Sequence, residues 1–417
     1  MIRSPKTPKK EAPKHDDTGD STLSDTSENQ PPVEDSSFLD QPADTSENSE
    51  KPGRRERHFK RWPLKHLPIY RRRDLYLILL VVVLLTAVCL AGWFKFVNNK
   101  PTTQGAVVIK RTAVKKEPPK PTTVASPLSG VQVTPEQAAM PVTGVMIENS
   151  PDARPQSGLN SAGVVYEAIA EGGITRFLAL FQDTNPDYVG PIRSARPYYL
   201  DWILPFQGSL AHVGGSPDAL AQIKSLNVRN LDQFANSGSY TRITARYAPH
   251  NVYTSIDRLV ALEKSKGYGT STYTSFARKA PAPAATPTAK TIDFNISGYL
   301  YNPTYTYDAT TNTYKRSEGG QIHKDEKSGN QLAPTVVIAL VMTNTLNGDG
   351  IHNIYATTGS GHMYVFQDGI VAEGTWTKAD RTSQFKFNNL GGEELKLNAG
   401  QTWISIVGSQ GAVTYKP

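Results

Sequence analysis

One apolar run, at 75–94, stands out from the mixed pattern of apolar and polar residues along the chain, and it contains no charged residue. A helix rises about 1.5 Å per residue, so a run of this length covers the roughly 30 Å of hydrocarbon in a bilayer. The run lies far from Met1, and no small-residue cleavage site follows it cleanly, which argues against a cleaved signal peptide. The pattern therefore predicts one transmembrane helix, at 75–97.

The alternation of apolar and polar positions after this run predicts strands and helices in turn. Strand-like runs lie at 142–148, 162–170, 174–181 and 210–213. Proline and cap signals begin three helices, at Pro197, after Ser216 and after Ser255. The apolar face of the second helix is predicted to contain Leu220, Ile223 and Leu226. Strands alternating with helices indicate a layered α/β domain, which we place at 141–280.

A change of composition to APAPAATPTAK marks a linker at 281–290. The strand-like runs beyond it are separated by Gly, Asn and Asp, and they lie at 335–342, 354–357, 363–366, 370–375 and 402–407. Gly359-Ser360-Gly361 is predicted to be a hairpin turn. We therefore predict a second, smaller and β-rich domain at 291–417.

Charge around the apolar run predicts its orientation. Ten basic residues lie at 51–73 on its N-terminal side, whereas four lie at 95–111 on the other side. The positive-inside rule therefore predicts a cytoplasmic N-terminus and extracytoplasmic C-terminal domains. The net charge of +7 owes much to the basic juxtamembrane segment, 51–74, for which anionic lipid headgroups are the expected partner. No nucleic-acid partner is predicted.

Two polar segments flank the predicted membrane helix. Residues 1–50 contain few large apolar side chains and cannot bury enough surface to offset the loss of chain entropy, so this cytoplasmic tail is predicted to be disordered. Residues 98–140 are rich in Pro, Thr, Val and Lys, which favours an extended linker. The only cysteine, Cys89, lies inside the apolar run, so disulfides and cysteine metal sites are excluded from the C-terminal domains.

The densest group of polar residues lies in the first domain, near the predicted starts of two helices. Helix N-termini present free N–H groups, and arginine grips phosphate or carboxylate at two points. We therefore predict an anion site at the carboxyl ends of the strands. Its predicted ligand-binding residues are Arg154, Arg176, Arg193, Ser194, Arg196, Gly214, Gly215, Ser216, His250 and Asn251. The alternative is that these arginines form structural ion pairs with Glu148, Glu167, Glu171, Asp183 and Asp201.

The candidates for catalysis are Glu167, Glu171 and His212. The two carboxylates are of the kind that act as general acid and base or hold a divalent metal, and His212 and His250 are of the kind that transfer protons. The alternative is that all of them are hydrogen-bonded core residues. The sequence contains no phosphate-binding loop, zinc-protease motif or nucleophile elbow, so it predicts no cofactor and no metal ligand, and it leaves the reaction open.

Several stretches of the first domain carry a resemblance to a known family. They are ENSPDARPQSG at 148–158, VYE at 165–167, EGGITRF at 171–177, VGPIRSARPY at 189–198, HVGGS at 212–216 and His250-Asn251. The second domain agrees through GTW at 374–376 and LNAGQTWI at 397–404. These stretches resemble the YerB-like family of bacterial envelope proteins, over about 141–417. The resemblance implies an extracytoplasmic region of two domains with unassigned activity. It also implies kinship with lipoproteins, although here a transmembrane run replaces the lipidated cysteine.

A second similarity concerns layout alone. A strand ending near Arg193, a Gly-Gly turn, a helix and the stretch VRNLD at 228–232 are similar in arrangement to LytR-CpsA-Psr enzymes. That similarity implies a metal-dependent phosphotransferase or hydrolase of envelope polymers, and a divalent metal belongs only to this alternative. The leading hypothesis is a binding protein for an anionic wall polymer or lipid-linked precursor. A third is a scaffold that recruits a wall-synthesis protein.

Overall fold

The computed structural model describes residues 72–98 and 122–417, which belong to two separate compact units divided after Arg111. The first unit contains helix α1, Arg72–Asn98, and its stretch Tyr76–Asn98 is long and apolar enough to cross a membrane. The predicted membrane helix is therefore present as a helix at the expected place. The predicted tail at 1–50 and most of the juxtamembrane segment lie outside the described residues, and the predicted orientation stays a prediction.

The second unit contains two large sheets and four helices among its described residues. Its helices are α2 Pro135–Ala138, α3 Pro197–Ile203, α4 Pro217–Ser225 and α5 Ile256–Ser265. The strands of the two large sheets, numbered in chain order, are β1 Thr143–Glu148, β2 Val164–Glu171, β3 Ile174–Phe181, β4 Ser209–Ala211, β5 Arg229–Asn230, β6 Thr291–Phe294, β7 Pro303–Asp308, β8 Thr313–Glu318, β9 Gln321–Ile322, β10 Val336–Val341, β11 Gly359–Gln367, β12 Ile370–Lys378, β13 Lys386–Asn389, β14 Thr402–Val407 and β15 Val413–Lys416.

One sheet of ten strands runs through both predicted domains, in the order β13-β12-β11-β10-β14-β2-β3-β1-β4-β5. The joint is the parallel pair of β14 and β2, in which Thr402 lies opposite Val164 and Ser405 lies opposite Glu167. Both strands are buried along most of their length, as expected of parallel strands covered on both faces. The regions predicted as two domains therefore fold as one unit around a shared sheet, and the predicted 281–290 linker runs within that unit.

Two hydrophobic cores lie on opposite faces of this sheet. Along β1, Met146 points into the core that also contains the side chains of α3 and α4. Its neighbours Val145 and Ile147 point into the other core, which contains apolar residues of α5 and of a five-stranded sheet ordered β9-β8-β7-β6-β15. The unit is thus layered, with helices on one face and a second sheet plus a helix on the other.

Several local predictions are wrong. Residues 122–140, predicted as linker, contain short strands and α2, and Leu128 is buried in a core because its side chain packs under the sheet. Gly359–Gly361 is not a turn but the start of β11, paired with the end of β12. In α4, Ala219 and Ile223 are buried while Leu220 is largely exposed, so the buried face is rotated from the predicted one.

Candidate functional site

Three strands of the large sheet end at chemically active side chains. Strands β1, β2 and β4 run in the same direction, because β1 and β2 both pair antiparallel with β3 and β4 pairs parallel with β1. Glu148 ends β1, Glu171 ends β2 and His212 follows β4. The carboxyl ends of parallel strands are where open α/β sheets bind ligands. These residues therefore lie at one edge of the sheet, as predicted.

The segment 190–196 is wedged between the ends of β1 and β4 and brings its arginines to this edge. The Arg193 N–H donates to Met146 O at 2.9 Å, and the Val213 N–H donates to Arg193 O at 3.0 Å. Gly190 starts the segment at φ 154°, where a Cβ would lie 2.8 Å from Val252 O, so no larger residue fits there. This packing fixes Arg193 beside Glu148.

Four side chains meet at what we call the Glu148 cluster: Glu148, Ser150, Arg193 and His250. Arg193 Nε lies 3.1 Å from Glu148 Oε1, and His250 Nδ1 lies 2.9 Å from Oε2. The Ser150 hydroxyl donates to Oε1 at 3.0 Å. Glu148 is buried, whereas Arg193 and His250 remain about one-quarter and one-fifth exposed, at 24% and 21% of their side-chain surface. The carboxylate thus holds two partly exposed basic groups in place.

A second group surrounds Glu171. Its carboxylate pairs with Arg176 Nη2 at 2.9 Å and with Arg196, and Arg176 Nη1 donates to Ser194 O at 2.8 Å. Burial alone would raise the pKa of Glu171, but the two guanidinium groups outweigh it and lower that pKa. Glu171 is therefore a charged carboxylate between two arginines, as the ion-pair alternative expects.

The glycine turn predicted to bind an anion is occupied by protein contacts. The Gly214 N–H donates to Asp232 Oδ1, and Gly214 O accepts from the Ala195 N–H. The Ser216 hydroxyl caps α4 by accepting from the Ala219 N–H, as the cap signal predicted. Gly215 pairs with Ala195 as an isolated bridge. In this conformation the turn holds segment 190–196 in place.

His212 and Asn251 also make internal contacts. His212 is buried, with Nδ1 2.7 Å from Gly214 O and Nε2 2.9 Å from Asn230 Oδ1, so both ring nitrogens are engaged. Asn251 accepts from Arg242 and donates to Ile243 O. Among the described residues, no hydrogen bond joins His212 to His250.

Glu167 and Arg154 belong to a buried network between the two halves. Glu167 pairs with Arg316 Nη2 at 2.8 Å, and both side chains are fully buried. Arg316 also pairs with Glu318 at 3.0 Å, which in turn lies 3.2 Å from Arg154. Burial opposes the charge of Arg316, but the two glutamates outweigh it and raise the pKa of Arg316. Glu167 is therefore sealed from solvent in an ion pair.

Two further donors complete the contacts of Glu167. The Trp403 indole N–H and the Ser405 hydroxyl reach its Oε2 at 2.9 and 3.0 Å. His323 bridges Arg316 and Gln156, and burial, together with nearby arginines, lowers the pKa of His323 well below its ordinary value. In residues 72–98 and 122–417, no group of three or more His, Cys, Asp or Glu is arranged to hold a metal ion.

Sequence reasoning missed Ser150, Arg316 and Glu318. Arg316 and Glu318 lie on the same buried face of β8 as Tyr314, and no apolar pattern in the sequence marks that face as buried. Ser150 follows β1 by two residues, and its place just after a buried strand is the signal that could have identified it. Of the carboxylates predicted to pair with the arginines of the site, Glu148 and Glu171 do so. Glu167 pairs instead with Arg316, and Asp201 with Arg381.

Comparison with known proteins gives one consistent answer. Family models described as the N-terminal and C-terminal domains of a protein of unknown function (DUF3048) match residues 128–269 and 291–404. The chain is 33% identical over 288 residues to the "Putative lipoprotein YerB" of Bacillus subtilis (strain 168), covering 68% of this chain and 86% of that protein. A crystal structure of the YerB protein from Bacillus subtilis matches with a TM-score of 0.64 at 29% identity, covering 70% of this chain and 100% of that chain. With its order of motifs and its fold both matched, the chain belongs to the YerB-like (DUF3048) family.

Proposed function

We propose that this protein is a membrane-anchored envelope protein that binds an anionic ligand at the Glu148 cluster. Its relative is named a lipoprotein, and helix α1 would supply the anchor that a lipid supplies there. The envelope assignment also agrees with the charge bias around the membrane run, which favours an extracytoplasmic position for residues 122–417.

The observation that carries the binding proposal is the outward face of Arg193 and His250. Among the described residues, neither Nη atom of Arg193 has a hydrogen-bond partner, and neither is buried. The same holds for His250 Nε2. Among the described residues, the ion pairs of Arg176, Arg193 and Arg196 at this sheet edge are made with two carboxylates, Glu148 and Glu171, so three guanidinium groups share two acidic partners. A fork of two free N–H groups at such an edge suits a phosphate or carboxylate.

A cavity of about 420 Å³ lies between the two halves of the unit and is lined by the turn that follows Ser150. Its walls include the apolar Pro151, Leu300 and Ile322 and the charged Arg154 and Lys324, but none of the four side chains of the Glu148 cluster. Apolar walls with basic groups among them fit the apolar and anionic parts of a lipid-linked precursor, and a wall polymer is the other candidate ligand.

Titration calorimetry of the soluble region with inorganic pyrophosphate and with wall-polymer fragments tests this proposal. We expect Arg193→Ala to weaken binding at least tenfold. The affinity of Arg193→Lys should lie between those of the wild type and Arg193→Ala, because lysine keeps the positive charge but cannot form the two-point contact of a guanidinium group. Arg258→Ala, which removes an arginine of α5 bonded to Thr241, is the matched control and should bind like the wild type. Equal binding by the wild type and Arg193→Ala would refute the proposal.

The other two hypotheses stay predictions. The hypothesis of a metal-dependent enzyme requires Glu167 or Glu171 as the acid, base or metal ligand. Glu167 forms an ion pair with Arg316, and Glu171 forms ion pairs with Arg176 and Arg196. The scaffold hypothesis rests on the second half of the unit and would survive the loss of Arg193. Copurification of a wall-synthesis protein with Arg193→Ala would favour it.

A further inference from the structure

The two ring nitrogens of His250 face different surroundings. Nδ1 lies 2.9 Å from Glu148 Oε2, whereas Nε2 has no partner among the described residues and is not buried. The neighbouring histidines differ in this respect, because both ring nitrogens of His212 and both of His323 have protein partners. His250 is therefore held by one nitrogen and open at the other.

The geometry of the cluster selects which ring nitrogen of His250 is engaged. Arg193 Nε lies against Glu148 Oε1. The Ser150 hydroxyl occupies Oε1 and leaves Oε2 to His250. A carboxylate that accepts the Nδ1–H fixes the tautomer whose lone pair is on Nε2. That lone pair then belongs to the ring nitrogen that is not buried and has no partner among the described residues.

We propose that His250 is a general base and that this site hydrolyses phosphodiester anions, with Glu148 as the residue that positions the imidazole. This inference rests on the proposed anion binding, since the Arg193 fork would hold the two non-bridging oxygens of the diester. Nε2 accepts a proton from water as the water oxygen forms a bond to phosphorus. The ester P–O bond breaks, and the imidazolium returns the proton to the departing alkoxide. One water is consumed, and a phosphomonoester and an alcohol are formed.

The first test uses the full chain in detergent micelles with bis(p-nitrophenyl) phosphate as the probe and EDTA in the buffer. Release of p-nitrophenolate above the buffer rate is expected from the wild type, and His250→Gln should lower kcat by about 10²- to 10⁴-fold, the usual contribution of a general base. Glu148→Gln should lower kcat because the imidazole loses its positioning partner, and it should also raise KM because the same carboxylate holds Arg193. A change in KM alone would contradict the positioning role. His352→Gln, at a partly exposed histidine paired with Asp349, is the control and should turn over like the wild type.

A second measurement does not depend on the substrate. Diethyl pyrocarbonate modifies accessible neutral imidazole nitrogens, so His250 should be modified at least tenfold faster than His212, and Glu148→Gln should slow its modification. Absence of turnover, equal turnover by His250→Gln, or equal modification of both histidines would each overturn the inference. Binding of pyrophosphate distinguishes failure of this inference from failure of the proposed function. If the wild type binds pyrophosphate but does not hydrolyse the diester, only the role of His250 as a general base is refuted. Matching circular dichroism spectra would establish that the variants are folded.

Discussion

Two glutamates of the large sheet, Glu167 and Glu148, hold an arginine and lie close to a histidine, yet their surroundings differ. Glu167 and Arg316 are fully buried, and the network around them includes the buried, neutral His323. Glu148 is buried, but Arg193 and His250 on either side of it reach the surface with free nitrogen atoms. The same residue types thus form a buried ion pair, which we call a lock, in one place and a partly exposed cluster, the proposed site, in the other. The two places differ in whether the arginine and histidine nitrogens that do not contact the glutamate have protein partners or reach solvent.

The buried network also explains why the two family segments fold as one unit. Glu167 comes from the first segment, and Arg316 and Trp403 come from the second. The pair spans 149 residues of sequence and lies beside the parallel joint between β2 and β14. Loss of either partner within the folded unit would leave a buried unpaired charge, which costs several kcal/mol. We therefore regard the pair as the contact that makes each segment depend on the other.

The largest effect is expected from Arg316→Met. This change leaves two buried carboxylates, Glu167 and Glu318, without their shared cation, and breaking one side of a buried pair costs about 3–5 kcal/mol. Urea unfolding of the soluble region measures it. The neighbouring Lys315→Ala is the control, because its pair with Asp308 is exposed to solvent and contributes little to stability. Equal losses of unfolding free energy in Arg316→Met and Lys315→Ala would mean that the buried pair contributes no more than an exposed one, and Glu167 and Arg316 would not be a lock.

Much of the fold could be predicted from local patterns. Strands β3 and β14 lie where continuous β-branched and aromatic runs placed them, and the cap signals at Ser216 and Ser255 mark the starts of α4 and α5. The continuous sheet could not be predicted, because pairing of β2 with β14 depends on residues more than two hundred positions apart. The five-stranded sheet was missed since β7 and β8 are polar on the face away from the core.

The position of the candidate site in the sheet could be predicted from the sequence, but the residues that form it could not. Segment 190–196 and the strand ends at Glu148 and Glu171 follow from the rule that ligands bind at carboxyl ends of parallel strands. Which arginine stays free is decided by tertiary contacts. Arg176 and Arg196 share Glu171, and Arg154 lies among backbone carbonyls and Glu318, whereas Arg193 keeps its fork outside. No spacing in the sequence distinguishes among them.

Glu263 is a buried glutamate that forms no ion pair among the described residues, so the effect of pH on stability can be compared between it and the paired glutamates. Glu263 accepts from Thr143 Oγ1 at 2.9 Å, and its Oε2 is buried with no hydrogen-bond partner in residues 122–417. Burial raises the pKa of Glu263 from 4.5 to about 7. A raised carboxyl pKa means that the folded state binds the proton more tightly, so this stabilisation is complete below pH 4.5 and is lost as the pH rises through about 7.

The expected loss from Glu263 is about 3 kcal/mol between pH 4.5 and pH 8. Urea unfolding at both values measures it, and Glu263→Gln should remove most of the difference because glutamine does not titrate. Glu167 differs from Glu263 because it is paired with the positive charge of Arg316. If Glu263→Gln keeps the full pH dependence of the wild type, burial of this carboxyl is not its source.

The smallest effect is expected from Arg193→Ala, and it tests the other side of the comparison. Glu148 would keep the Ser150 hydroxyl and the Nδ1–H of His250 as donors, and a partly exposed pair contributes little, so the loss of unfolding free energy should be about 1 kcal/mol or less. Binding of pyrophosphate should nevertheless fall at least tenfold. A residue that matters to a ligand and hardly to the fold is what an open site requires. Should Arg193→Ala destabilise the protein as much as Arg316→Met, the Glu148 cluster would be a second lock, and the proposed anion site would lose its basis.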